Sequence, residues 1–109
     1  MSNTRKHDVA RYARIFQALS NPNRLEIFLR LVKCCEPGTV CTGDPDVPNC
    51  VGEVGKDLGL AGSTVSHHLK ELRNCGLVHM ERQGQRVACW VEPKVLRELA
   101  DFLGAQSAR

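Results

Sequence analysis

Two groups of residues in this chain of 109 have the types and spacing to do chemistry. The first is a run of four cysteines, Cys34, Cys35, Cys41 and Cys50, within seventeen positions. Thiolates select soft ions, and a loop carrying Cys41 that folds back on Cys34, Cys35 and Cys50 can offer three or four sulfurs to one ion. A trigonal set of three suits As(III) or Sb(III), and a tetrahedral set of four suits Zn(II) or Cd(II). The same thiols could instead form a reversible disulfide in a redox or persulfide sensor. Adjacent Cys34 and Cys35 would bridge each other only with strain, so Cys41 or Cys50 is the more natural partner. The other two cysteines, Cys75 and Cys89, have no cysteine neighbours in sequence and read as small buried hydrophobes.

The second group is polar and basic: Ser63, Thr64, Ser66, His67, Lys70 and Arg73 on one helical face, then Arg82 and Arg86 beside a turn. Small polar residues at the start of a helix can approach base edges or phosphates. Two guanidinium groups at a hairpin tip can reach phosphates or a minor groove without demanding a particular sequence. His67 faces outward and could read a base. His68 lies near the inner edge, as a structural or phosphate-contacting residue, and the two do not make a metal pair because adjacent helical residues diverge. Taken singly, such residues are usually a helix cap and a solvated face. Their order along the chain gives them meaning.

That order begins with a helix from Arg5 to Leu19, in which Val9, Tyr12, Ala13, Phe16 and Leu19 recur at helical spacing. Asn21-Pro22 is a helix start signal, and the second helix runs from Pro22 to about Cys34. Leu25, Phe28, Leu29 and Val32 form one stripe on it and Ile27 and Leu31 a second, so it should be the central, buried helix. Residues 36–49 hold three of the five prolines and two glycines, and read as a loop long enough to suggest function. Val51, Val54 and Leu58 mark a short third helix ended by Gly59. Gly62-Ser63-Thr64 opens a fourth that runs to Cys75, with Val65, Leu69 and Leu72 inward, and Gly76 stops it. Leu77 to Glu81 and Val87 to Val91 read as the strands of a hairpin. Pro93 opens a last helix, through Gly104, with Val95, Leu96, Leu99, Phe102 and Leu103 apolar.

The expected architecture is a single domain over 1–109, mainly α with a small β-hairpin: a winged helix-turn-helix in the order ααααββα. The helix-turn-helix covers about 51–75, the wing about 77–91 and the cysteine loop 34–50. Two short helices about a glycine turn place the second in a major groove with its N-terminal residues against the bases. The net charge of +3 permits a polyanionic partner without proving one. No apolar run approaches the roughly 18 residues that cross a bilayer, and the N-terminus lacks a secretory pattern. A cytoplasmic protein is expected, whose cysteines are ligands or redox thiols in a reducing compartment. An enzyme using Cys34 or Cys35 as nucleophile finds no support, since there is no Cys-x-x-Cys, phosphate-cradling loop or α/β pattern. An interaction module braced by structural zinc is the remaining alternative, and the polar face of Ser63, Thr64, Ser66 and His67 argues against it.

The segments Ala18–Phe28, Ser63–Leu77 and Arg82–Val87 together resemble the ArsR/SmtB family of metal-responsive winged helix-turn-helix repressors. The resemblance implies a homodimer, formed through the first and last helices (about 5–19 and 93–104), on double-stranded DNA with an inverted-repeat operator. It also implies release from that operator by a thiophilic ion. Cys50 to Val54 is similar to the family's third-helix metal box, but Gly52 stands where a second cysteine would be. Cys34, Cys35 and Cys41 are similar to the vicinal pair plus third cysteine of arsenic-sensing members. A relocated trithiolate site, favouring As(III) or Sb(III), follows as the expectation. A zinc site across the terminal helices is not expected, because the last helix has Asp101 but no histidine.

Overall fold

The computed structural model describes residues 2–34, 40–42, 50–84 and 86–107. Cys35 and most of the stretch read as the cysteine loop therefore lie outside the described residues. The elements are α1 (Ser2–Leu19), α2 (Pro22–Cys34), β1 (Val40–Thr42), α3 (Cys50–Leu58), α4 (Gly62–Asn74), β2 (Val78–Gln83), β3 (Arg86–Val91) and α5 (Pro93–Gln106). The helices and hairpin follow the expected order, with one addition. Val40–Thr42, within the stretch read as a loop, pairs antiparallel with β3 and completes a sheet of order β1-β3-β2. Two β-branched residues around Cys41 suit a strand, and β3 would otherwise present an unpaired edge. The surrounding prolines and glycines masked so short a segment.

The core gathers residues from nearly every element. Ile15, Ile27, Leu31, Val54, Leu72, Leu77 and Cys89 are its largest fully buried side chains. On α1 the buried residues are Tyr12, Ile15 and Ala18, whereas Val9 and Phe16 stay 56% and 40% exposed. Of the apolar residues that recur along this helix, Tyr12 thus turns to the core with Ile15 and Ala18, while Val9 and Phe16 stay at the surface. Both sets are apolar, and periodicity alone does not say which one meets the core. The second helix is likewise buried on one side, through Ile27, Phe28 and Leu31, while Leu25, Leu29 and Val32 remain exposed. It is central but not enclosed.

At the junction of the first two helices, Asn21 caps as expected, its Oδ1 accepting from the amide of Arg24 at 3.0 Å. The last helix docks on α1. Tyr12 and Phe102 stack with ring centroids 4.2 Å apart, Arg11 pairs with Glu98 at 2.7 Å, and Tyr12 Oη donates to the Glu98 carbonyl. Yet no residue of α5 is fully buried, and Leu103 is half exposed. Among the described residues no helix is long and apolar enough to cross a membrane.

Candidate nucleic-acid interface

The pair α3–α4 is fixed by glycines at three points. Gly59 has φ +67° and ends α3 in a reciprocal C-cap: its amide bonds Lys56 O at 3.1 Å, and Leu60 N bonds Gly55 O at 2.8 Å. Gly76, at φ +85°, ends α4 in the same way, with its amide on Arg73 O and Leu77 N on Leu72 O. Leu72 and Leu77 are both fully buried, supplying the apolar contact that accompanies this cap. At the third point the helices cross closely. A Cβ on Gly55 would lie 3.0 Å from Cγ2 of Val65, so any larger residue there would make the Val65 side chain give by a few tenths of an ångström. Sequence reasoning passed over Gly55; its signal was a missing side chain between Val54 and Leu58.

This frame turns Val65, His68, Leu69 and Leu72 inward and leaves Ser63, Thr64, Ser66, His67, Lys70 and Arg73 exposed on the opposite face. The six expected residues of α4 are therefore brought together on one surface. Ala61 occupies the N-cap position and makes no side-chain cap bond, so the hydroxyls of Ser63 and Thr64 are not spent on capping. No acidic residue stands in the first turn. The helix start thus offers amide donors and the positive end of the helix dipole beside two small hydroxyl residues, a favourable setting for a phosphate.

Across the turn from α4, β2 and β3 pair in register from Val78–Val91 to Gln83–Arg86, and Gly84 turns the chain at φ +67°. Arg82 is exposed, with its Nε donating to the Gly84 carbonyl at 3.1 Å, so its stem is folded over the tip. Arg86 opens β3 opposite Gln83. Two expected contact positions thus flank the wing tip. Sequence reasoning also missed Arg24, whose Nε donates to Nδ1 of buried His68 at 3.2 Å. That bond assigns His68 the structural role from the pair of readings it was given.

Of the cysteines, Cys34 ends α2, Cys41 is the middle residue of β1, and Cys50 opens α3. The third helix packs against both α2 and β1, so three of the four expected ligands stand on α3 or on elements that contact it. Among the described residues no group of three potential ligands could hold a metal ion. Cys89 is buried in the core, as its hydrophobic reading requires. Cys75 is half-buried; burial pushes its thiol up, and Sγ donates to Leu72 O at 3.3 Å.

Comparison with known proteins agrees with this geometry. Residues 46–80 match the family described as bacterial regulatory protein, arsR family. The chain is 36% identical over 76 residues to the HTH-type transcriptional regulator CmtR of Mycobacterium tuberculosis, an alignment covering 69% of this chain and 52% of CmtR. It thus spans about half the length of the curated relatives it matches. Among solved structures, reduced HlyU from Vibrio cholerae superposes with a TM-score of 0.61 at 23% identity, covering all of both chains. The homodimeric winged helix-turn-helix DNA-binding domain of Mb0332 from Mycobacterium bovis superposes with a TM-score of 0.65 at 21% identity, covering 98% of this chain and 87% of that one. These two likenesses are of fold.

Proposed function

Because the chain belongs to the arsR family of bacterial regulatory proteins, we propose that it is a DNA-binding transcriptional repressor released from its operator by a thiophilic effector. The observation that carries the DNA-binding part is the single exposed face of α4. Ser63, Thr64, Ser66, His67, Lys70 and Arg73 lie on it together, fronted by a helix start without a side-chain cap. In this reading Ser63, Thr64, Ser66 and His67 meet base edges and nearby phosphates, while Lys70, Arg73, Arg82 and Arg86 neutralise the backbone. The exposed Val9, Phe16 and Leu103 support a homodimer through α1 and α5, which would set two α4 helices against an inverted repeat.

The effector part rests on Cys34, Cys35, Cys41 and Cys50. Their chemistry fits a soft ion, As(III) or Sb(III) first and Cd(II) or Zn(II) next, and three of them stand on α3 or on elements that contact it. Such an ion supplies strong, charge-neutralising bonds to thiolates. Because Cys50 opens α3, any constraint on its sulfur acts on the first helix of the helix-turn-helix. A thiol-redox or persulfide-sensing repressor using the same cysteines is the second reading, in which Cys41 or Cys50 rather than the adjacent Cys34–Cys35 pair closes the disulfide.

A gel shift on the DNA upstream of its own gene, with As(III), Sb(III), Cd(II), Zn(II) and an oxidant added separately, tests the proposal. Release by one of the ions, abolished by Cys41→Ser with DNA binding kept, is the expected result. Release by the oxidant alone selects the second reading, and binding unchanged by all five contradicts both.

A further inference from the structure

Arg24 stands on α2, outside the helix-turn-helix, yet it is bonded on both sides. Its Nη1 donates to the carbonyl of Ala18 near the end of α1, and its Nε donates to Nδ1 of His68 in the middle of α4, each at 3.2 Å. Its own amide is held by Asn21 at 3.0 Å. One guanidinium therefore joins the end of α1, the start of α2 and the inner face of α4. His68 is only 6% exposed, so water has little room to replace this donor.

We propose that Arg24 is the positioning residue of the α4 helix, holding it at a set angle to the α1–α2 junction through the neutral ring of His68 and passing movements of α1 to the DNA-facing surface. The inference rests on the DNA-binding reading above and names a residue that reading does not use. A planar guanidinium can serve two acceptors in a fixed fork, which an ammonium group cannot copy. For Nδ1 to accept, His68 must be neutral with its proton on Nε2.

The surroundings favour that form. Burial, then the charge of Arg24, then that of His67 hold His68 below the usual histidine range, with Glu71 opposing. On the α1 side Arg14 lines a cleft with Glu71 and Cys75. Asp57 of α3 is engaged by Arg30, and His79 of β2 lies near Glu81 and Glu92. Protonation of His68 would remove the acceptor and set two cations together, so the link opens as pH falls.

The test titrates the full chain with duplex DNA from upstream of its own gene, at several salt concentrations. Arg24→Ala and Arg24→Lys should both weaken binding about tenfold. The slope of log affinity against log salt should not change, because a positioning residue neutralises no phosphate. A slope reduced by about one unit, or binding restored by lysine, would make Arg24 a phosphate contact and overturn the proposal. The NMR titration of His68 reads the link without DNA: Arg24→Ala should move its pKa upward, and an unmoved titration would overturn the proposal. Should the Arg24 variants fail to fold, His68→Asn keeps an acceptor near Nδ1 but cannot titrate. It should flatten the loss of binding between about pH 7 and about pH 5.5, and an equally steep loss would count against the link. If the unsubstituted chain binds no DNA, the repressor reading fails and the His68 titration decides the link alone.

Discussion

The helix-turn-helix and the α1–α5 pair differ in how far one chain completes them. In α3–α4, two reciprocal glycine caps, a close crossing at Gly55 and the Arg24–His68 bond leave little room for adjustment. In α1–α5, a ring stack, an ion pair and a tyrosine hydrogen bond hold the helices together, while Val9, Phe16 and Leu103 keep apolar surface exposed and no residue of α5 is fully buried. A surface that must present a fixed array of donors gains from rigidity within the chain. An apolar face left open gains its order from whatever covers it, which in the proposed dimer is a second copy.

The largest expected effect comes from breaking the finished side. Leu72 is fully buried beneath the α4 face, and Leu72→Ala should lower unfolding free energy by about 2–5 kcal/mol, read from urea denaturation. Loss of well under 1 kcal/mol would mean that the core closes readily around α4 and that its rigidity is overstated. Next is Gly76→Ala, which forces a side chain into a left-handed backbone and should cost about 1–2 kcal/mol by the same measurement.

A pH effect follows from His68. Its folded-state pKa is depressed, chiefly by burial, so the unfolded chain binds its proton more readily than the folded chain does. Stability from this group is present above the usual histidine pKa and is lost as pH falls toward the depressed value. Denaturation at a series of pH values should show this fall, and Arg24→Ala should reduce it. The smallest stability change belongs to the open side. Phe16→Glu alters a side chain 40% exposed in the single chain and should change dilute-monomer stability by no more than about 1 kcal/mol. Sedimentation should nevertheless show a dimer turned to monomer. An unchanged association state would remove α1 from the proposed interface.

The same contrast governs what could be read from sequence. The inward set Val65, Leu69 and Leu72, the stops at Gly59 and Gly76, and the Asn21 cap were legible because each is a local rule that a few neighbouring residues satisfy. Ile15 was missed because α1 carries apolar residues around much of its girth, and its register is decided by partners distant in sequence. Gly55 and Arg24 were missed for a related reason: a close helix crossing and a bond over 44 positions leave no periodic trace. Strand β1 is three residues long and depends on the edge of β3, which sequence order places far downstream. For the candidate site, residue types and helical face were legible, whereas the brace behind the face was not.

The claim that α4 presents a DNA-binding surface is tested most directly by fluorescence anisotropy on duplex DNA from upstream of the gene, comparing the unsubstituted chain with Lys70→Ala and Arg73→Ala across salt concentrations. Each substitution should weaken binding and reduce the slope of log affinity against log salt by about one unit, with the unfolding midpoint unmoved. Binding and slope unchanged in both variants would contradict the assignment of this face to DNA.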